Sequence, residues 1–137
     1  MGTVHAEITL KNAGDEGKVR EGLLAAEDVR TVTVEAIVDT GALFLVIDEE
    51  LCEKLGLAIV RDRSALVANG QYVNCKETEP VSICWKNRIS TLPAAVIPGS
   101  RRVLLGVIPL EAMDLMVNPV SQELVGVHGD MDVVLAL

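Results

Sequence analysis

The sequence predicts a single all-β domain, closed as a barrel and carrying one or two short helices. Three observations predict it. Short runs of Val, Ile, Leu and Thr recur between clusters of turn residues, the pattern of many short strands. Only two segments carry helix punctuation, and both are short. Half of the 137 residues are hydrophobic, yet there is one Phe, one Trp and one Tyr, so the core must be aliphatic. That length suits one domain over residues 1–137. There is no internal repeat and no low-complexity tract.

The elements follow in order. Val4 to Leu10 alternates apolar and polar residues, which is strand periodicity. Lys11 to Gly17 holds Asn12, Gly14, Asp15 and Gly17 and reads as a turn or mobile loop. Arg20 to Asp28 fits a short strand or a helical turn. Val29 to Val38 is β-branched and reads as a strand. Asp48 to Gly56 is a short helix: Asp48 caps it, Glu49 and Glu50 suit its positive first turn, Lys54 suits its last, and Gly56 fits a left-handed stop. Leu66 to Val73 is a hairpin around Asn69-Gly70, the favoured pair for a two-residue turn with positive φ. Strands are expected at Val81 to Trp85, Ile89 to Ile97 and Val103 to Leu105. A second helix starts at Pro109 and ends at Asn118-Pro119. Leu124 to Val127 and Met131 to Leu137 are late strands.

Composition narrows the function. Twenty acidic residues against twelve basic ones give a net charge of -8, a surface that repels phosphate backbones, so nucleic acid is not expected as a partner. No run approaches the ~18 apolar residues that span a bilayer, and no membrane partner is expected. Met1 to Glu7 lacks the basic-then-apolar pattern of a signal peptide. Three cysteines, Cys52, Cys75 and Cys84, are an odd number without that signal and point to reduced thiols in the cytoplasm. Their spacing matches no zinc pattern, and His5 and His128 are the only histidines, so neither metal nor cofactor is expected.

The most informative stretch is Ile37-Val38-Asp39-Thr40-Gly41-Ala42. It reads as a strand delivering a carboxylate into a tight turn. A carboxylate beside so much apolar side chain is costly without a partner. The chain holds one such element, so the natural partner is Asp39 of a second copy. Two facing carboxylates that share a proton form an acid–base pair able to activate water.

This Asp-Thr-Gly-Ala element resembles that of the retroviral-type (retropepsin-like) aspartic proteases, in particular the bacterial members of that clan. Val103-Leu104-Leu105-Gly106, leading into Ile108 to Leu115, matches the family's downstream strand, glycine and short helix. The resemblance runs from about Val32 to Val117. It implies an acid-protease barrel, the half-pepsin unit, and an aspartic endopeptidase acting on a peptide or protein substrate. Pepsin-like chains carry two such elements, so a single one implies a symmetric homodimer.

The resemblance assigns roles. Asp39 is catalytic, Thr40 bonds across the two-fold axis to the partner loop, and the Gly41 N–H lies near the carboxylates. Ala42 borders the substrate. A Ser at that position would donate a hydrogen bond to the carboxylate and Ala cannot, so activity is expected at mildly acidic to near-neutral pH. Ala68, Asn69, Gly70 and Gln71 form the tip of a flap that closes over an extended peptide. Leu105 and Gly106 pack beneath the catalytic turn. Leu43 and Val107 stand where retroviral enzymes have an acid and an arginine that contact each other, and apolar packing is the expected replacement. Val133, Val134, Leu135 and Leu137 are candidates for the dimer interface. The other reading of these features is a catalytically silent dimeric module of the same fold, against which the intact Asp39, Thr40 and Gly41 argue.

Overall fold

The computed structural model describes residues 3–134 and residue 136. Nine strands carry the fold: β1 (His5–Asn12), β2 (Thr31–Val38), β3 (Leu45–Ile47), β4 (Ile59–Leu66), β5 (Tyr72–Trp85), β6 (Arg88–Val96), β7 (Leu104–Leu105), β8 (Leu115–Asn118) and β9 (Glu123–Gly126). Three short helices, α1 (Ala13–Arg20), α2 (Glu49–Lys54) and α3 (Val107–Ala112), and one 3-10 turn (Ala26–Asp28) join them. The fold is mostly β, as predicted, with one more α-helix than expected.

Seven strands form one sheet in the order β1-β2-β7-β3-β6-β5-β4, and β1 pairs again with β5. The pairings therefore run from β1 round to β5 and back to β1, leaving β4 outside the ring. β5 makes this possible by being long. Along one edge it pairs first with β4, from Tyr72 to Thr78, and then with β1, from Val81 to Cys84. The change of partner falls at an irregularity between Glu77 and Pro80, where Pro80 faces Pro93. Proline donates no ladder hydrogen bond, so such a break is where a sheet tolerates it.

The core is aliphatic, as composition requires. Ile8, Leu10, Leu45, Ile47, Leu55, Val81, Ile83 and Leu105 are fully buried and belong to one cluster. Met113 fills the core too, whereas Met116 is exposed. No helix among the described residues is long and apolar enough to cross a membrane.

Two predicted helix signals hold. The Asp48 carboxylate accepts the Leu51 N–H at 2.7 Å, and Gly56 stops α2 with φ +62. The segment predicted as a loop does not hold, because Ala13–Arg20 is helix α1. Asn12 caps it by accepting the Asp15 N–H at 2.9 Å and donates to the Leu55 carbonyl at 2.8 Å, which ties α1 to the end of α2. Asp15, 3% exposed, takes the Arg30 Nε at 2.8 Å, Nη2 at 2.9 Å and backbone N–H at 3.1 Å. That fork holds its carboxyl at about 2, below the ordinary 3.8, against the opposing effect of burial.

The C-terminal expectations need correction. The second predicted helix, α3, ends at Ala112 rather than at Asn118-Pro119, because Asp114 turns the chain with φ +56 into β8. Pro109 is its third residue, still within the first turn, where a missing N–H costs nothing. β8 and β9 form a separate two-stranded sheet, which Arg88 pins by donating to the carbonyls of Met113, Asp114 and Gly129 at 2.7, 3.0 and 2.6 Å. Met131 to Val134 form no strand, and Leu135 and Leu137 lie outside the described residues.

Candidate active site

Asp39 follows β2 directly. Its loop, residues 39–44, joins β2 to β3 around the end of β7, which lies between those two strands. β7 runs parallel to β2 (Val38 opposite Leu105) and antiparallel to β3 (Leu45 opposite Leu105). The Asp39 N–H donates to the Leu105 carbonyl at 3.0 Å, and Ala42 N–H closes the turn onto the Asp39 carbonyl at 3.1 Å. Beyond β7 the first N–H groups of α3 are free to donate outward. Val107 N–H reaches the Ala42 carbonyl and Ile108 N–H the Leu43 carbonyl, each at 2.9 Å.

Gly106 makes this clamp possible. A Cβ there would lie 2.5 Å from the Phe44 carbonyl oxygen and 2.7 Å from that of Ala42. Leu105 and Gly106 thus pack beneath the turn as expected. Backbone bonds hold the loop on both sides and leave the Asp39 side chain free. Its Oδ1 accepts the Gly41 N–H at 2.9 Å, and no cation pairs with it among the described residues.

The half-buried Asp39 lines a cleft of about 800 Å³. Gly41 and Ala42 line it beside Asp39, and Ala68 borders it from the β4–β5 hairpin. Thr40 is exposed and does not line it; nor do Asn69, Gly70 and Gln71, exposed at the hairpin tip. Tyr72 is 75% exposed and also stands outside. The hairpin exists where predicted, but its turn is longer than two residues. Gly70 N–H bonds the Val67 carbonyl at 2.9 Å and Val67 N–H bonds that of Gln71 at 3.0 Å, with positive φ at Gly70 alone. Three residues, Ala68 to Gly70, therefore make the tip, and the Asn69 carboxamide accepts the Gln71 N–H at 2.9 Å.

The sequence reading missed several cleft residues. β4 supplies Arg63 and Ala65, β6 supplies Pro93 and Ala95, and the turn before β7 supplies Arg102. Arg102 is exposed, as a solvated turn residue should be, yet it also borders the cleft. Arg63 pairs with Glu77 at 3.1 Å and lies 5.7 Å from the centre of the Phe44 ring. Leu43 is 55% exposed on the cleft, so buried apolar packing does not replace the retroviral ion pair within one copy. Pro98-Gly99 was the available signal for the turn that carries Arg102; the other residues meet only through long-range pairing.

Other chemistries find less here. Cys75 lines the cleft, but burial pushes its thiol up, which favours the unreactive neutral form, and neither histidine is on the lining. Among the described residues no group of three or more His, Cys, Asp or Glu is placed to hold a metal ion.

The loop thus presents an unpaired carboxylate to the cleft, with β7 between its flanking strands and the start of α3 clamping it. A family model described as aspartyl protease matches residues 25–108, more than half of the chain, and the chain belongs to that family. Asp39, its loop and Gly106 lie inside the match; α1 and the β8–β9 sheet lie outside it. No curated protein matches. Among solved structures, the EIAV protease complexed with the inhibitor HBY-793 aligns with 58% of this chain and 75% of its own, at 23% identity and a TM-score of 0.47.

Proposed function

We propose that this chain is an aspartic endopeptidase whose active site forms when two copies meet about a two-fold axis, each giving one Asp39. The observation that carries this reading is the carboxylate of Asp39, without a cation partner among the described residues and positioned by backbone bonds on the lining of the cleft. The exposed Thr40 and Gly41 beside it are the groups a facing copy would meet. The ring of paired strands is read as the acid-protease barrel that presents this loop.

In the pair, two carboxylates roughly 3 Å apart share one proton. The protonated member donates toward the scissile carbonyl oxygen. The ionised member takes a proton from water, whose oxygen bonds to the carbonyl carbon. The tetrahedral intermediate collapses as the C–N bond breaks and a proton passes to the leaving nitrogen. A carboxylic acid and an amine result, and the pair regains its single proton. The substrate is an extended peptide, and the apolar lining from Leu43, Phe44, Ala65 and Ile97 favours hydrophobic side chains beside the cut.

Peptide-library cleavage by the native chain and Asp39→Asn tests the reading. The expected result is cleavage at mildly acidic to near-neutral pH, abolished in the variant and accompanied by dimer in sedimentation. Equal cleavage by both, or activity from a strict monomer, overturns it. A stable dimer that binds pepstatin without cutting any peptide marks the silent module instead.

A further inference from the structure

The cleft carries charge that peptide hydrolysis does not need. Besides Asp39, its charged lining consists of Arg63, Glu77 and Arg102. Glu77 and Arg63 neutralise each other at 3.1 Å, and Arg61 adds a second contact to Glu77 at 3.5 Å. Arg63 is further occupied by the Phe44 ring. Arg102 has no such employment. Its guanidinium makes no ion pair or hydrogen bond among the described residues; only its backbone N–H is engaged, with the Ser100 hydroxyl at 3.3 Å.

The turn that presents Arg102 is built. Ser100 N–H bonds the Ile97 carbonyl at 3.1 Å, with Pro98 and Gly99 as the central pair and Gly99 at φ +81, the geometry of a type II turn. Glu49 of α2 accepts the Gly99 N–H at 3.4 Å, so its acid is spent on the backbone of the turn. Ile97, Ser100, Arg102 and Leu104 all reach the cleft from this segment. An unpaired arginine two residues past a hydrogen-bonded turn and tied to it through Ser100, beside an apolar floor in a chain of net charge -8, is a local exception to the charge of the whole.

We infer that Arg102 is a specificity-determining residue that selects peptides bearing an Asp or Glu close to the hydrophobic residues at the cut. A planar guanidinium fork matches a carboxylate, and an acidic side chain lying along the cleft gives Arg102 the partner that this chain withholds. The inference rests on the peptidase reading and adds to it a substrate class. Because Arg102 is exposed, the contact is solvent-screened and modest, worth about 3- to 5-fold in kcat/KM.

Two peptides differing only by Glu or Gln near the cut, offered to the native chain and to Arg102→Gln, decide the matter. The native chain is expected to favour the Glu peptide by about 3- to 5-fold at low salt, with the ratio falling towards 1 in Arg102→Gln and at high salt. The same ratio is read as binding by fluorescence anisotropy on Asp39→Asn and on Asp39→Asn carrying Arg102→Gln, which needs no cleavage. A ratio of 1 in the native chain, or one that survives Arg102→Gln, overturns the inference and leaves the peptidase reading intact if Asp39→Asn is inactive. Loss of the peptidase reading alone shows instead as no cleavage by any variant, with the binding ratio still set by Arg102.

Discussion

Two aspartates of this chain, one in the first turn of α1 and one in the loop after β2, accept backbone N–H groups, yet their surroundings are opposite. Asp15 is buried, and Arg30 holds it by a two-pronged side-chain contact and a backbone N–H. Asp39 is half-buried, faces a cleft and has only the Gly41 N–H. At Asp15 the side chain does the holding, fastening α1 to the start of β2. At Asp39 the holding is done by backbone bonds from β7 and α3, and the side chain is left over. A carboxylate can be both well placed and available for chemistry only when something other than its own oxygens fixes it.

The sharpest way to break this contrast is to remove each carboxylate in turn. Asp39→Asn is expected to lower peptide cleavage by about 10³-fold while leaving the thermal midpoint nearly unchanged, because the side chain anchors nothing beyond its own turn. Circular-dichroism melting alongside the cleavage assay checks both halves. A large loss of stability would mean that Asp39, like Asp15, is a structural acid.

Gly106→Ala strikes the clamp instead of the carboxylate. With φ -89 the backbone tolerates any residue, so the cost is purely steric, against carbonyls that cannot swing aside. About 3 kcal/mol of destabilisation is expected in urea unfolding. A neutral effect would show that the loop is not held by close contact with α3.

The comparison also explains what could be read from the sequence. Asp39-Thr40-Gly41 and Leu104-Leu105-Gly106 were legible because each needs its residue types locally, a turn in one case and a close backbone approach in the other. α2 was legible from Asp48, Lys54 and Gly56 for the same reason. α1 was not, because its only buried side chain is Asp15 and no apolar period marks it; its support is a cap and an arginine from a different element. Ahead of Leu66, β4 went unread because nearly all of it is exposed and no apolar alternation marks it. Arg63, Glu77 and Arg102 meet only after β4, β5 and β7 are brought together, which no local pattern encodes.

The Asp15 side of the contrast predicts a pH dependence. The Arg30 fork keeps the Asp15 carboxyl at about 2 where 3.8 is ordinary, so the folded chain resists protonation more than the unfolded one. The stabilisation is complete above the ordinary carboxylate range and is lost as pH falls through about 2. Arg30 is 48% exposed, and solvent screening limits the contribution to about 1–2 kcal/mol. Asp15→Asn is expected to lose that amount at pH 7 and to flatten the acid limb of urea-unfolding stability between pH 4 and pH 2. An unchanged acid limb would remove Asp15 from the account.

The smallest expected effect concerns the hairpin tip, held by neither device. Its turn rests on two backbone bonds to the half-buried Val67, and a Cβ at Gly70 would meet nothing within 4 Å. Gly70→Ala is therefore opposed only by its φ of +82, at a cost of about 1 kcal/mol. Because nothing packs on that position, the strain has no route to β7, and the damage stays in the hairpin. Hydrogen exchange resolves this directly: amides of Asn69 to Gln71 exchange faster than those of Val103 to Leu105 in the native chain, and the variant widens the gap by accelerating the first group alone. Equal protection of the two segments in the native chain would deny the tip the independent opening that a flap requires, and acceleration at Leu105 would show that hairpin and clamp form one cooperative unit.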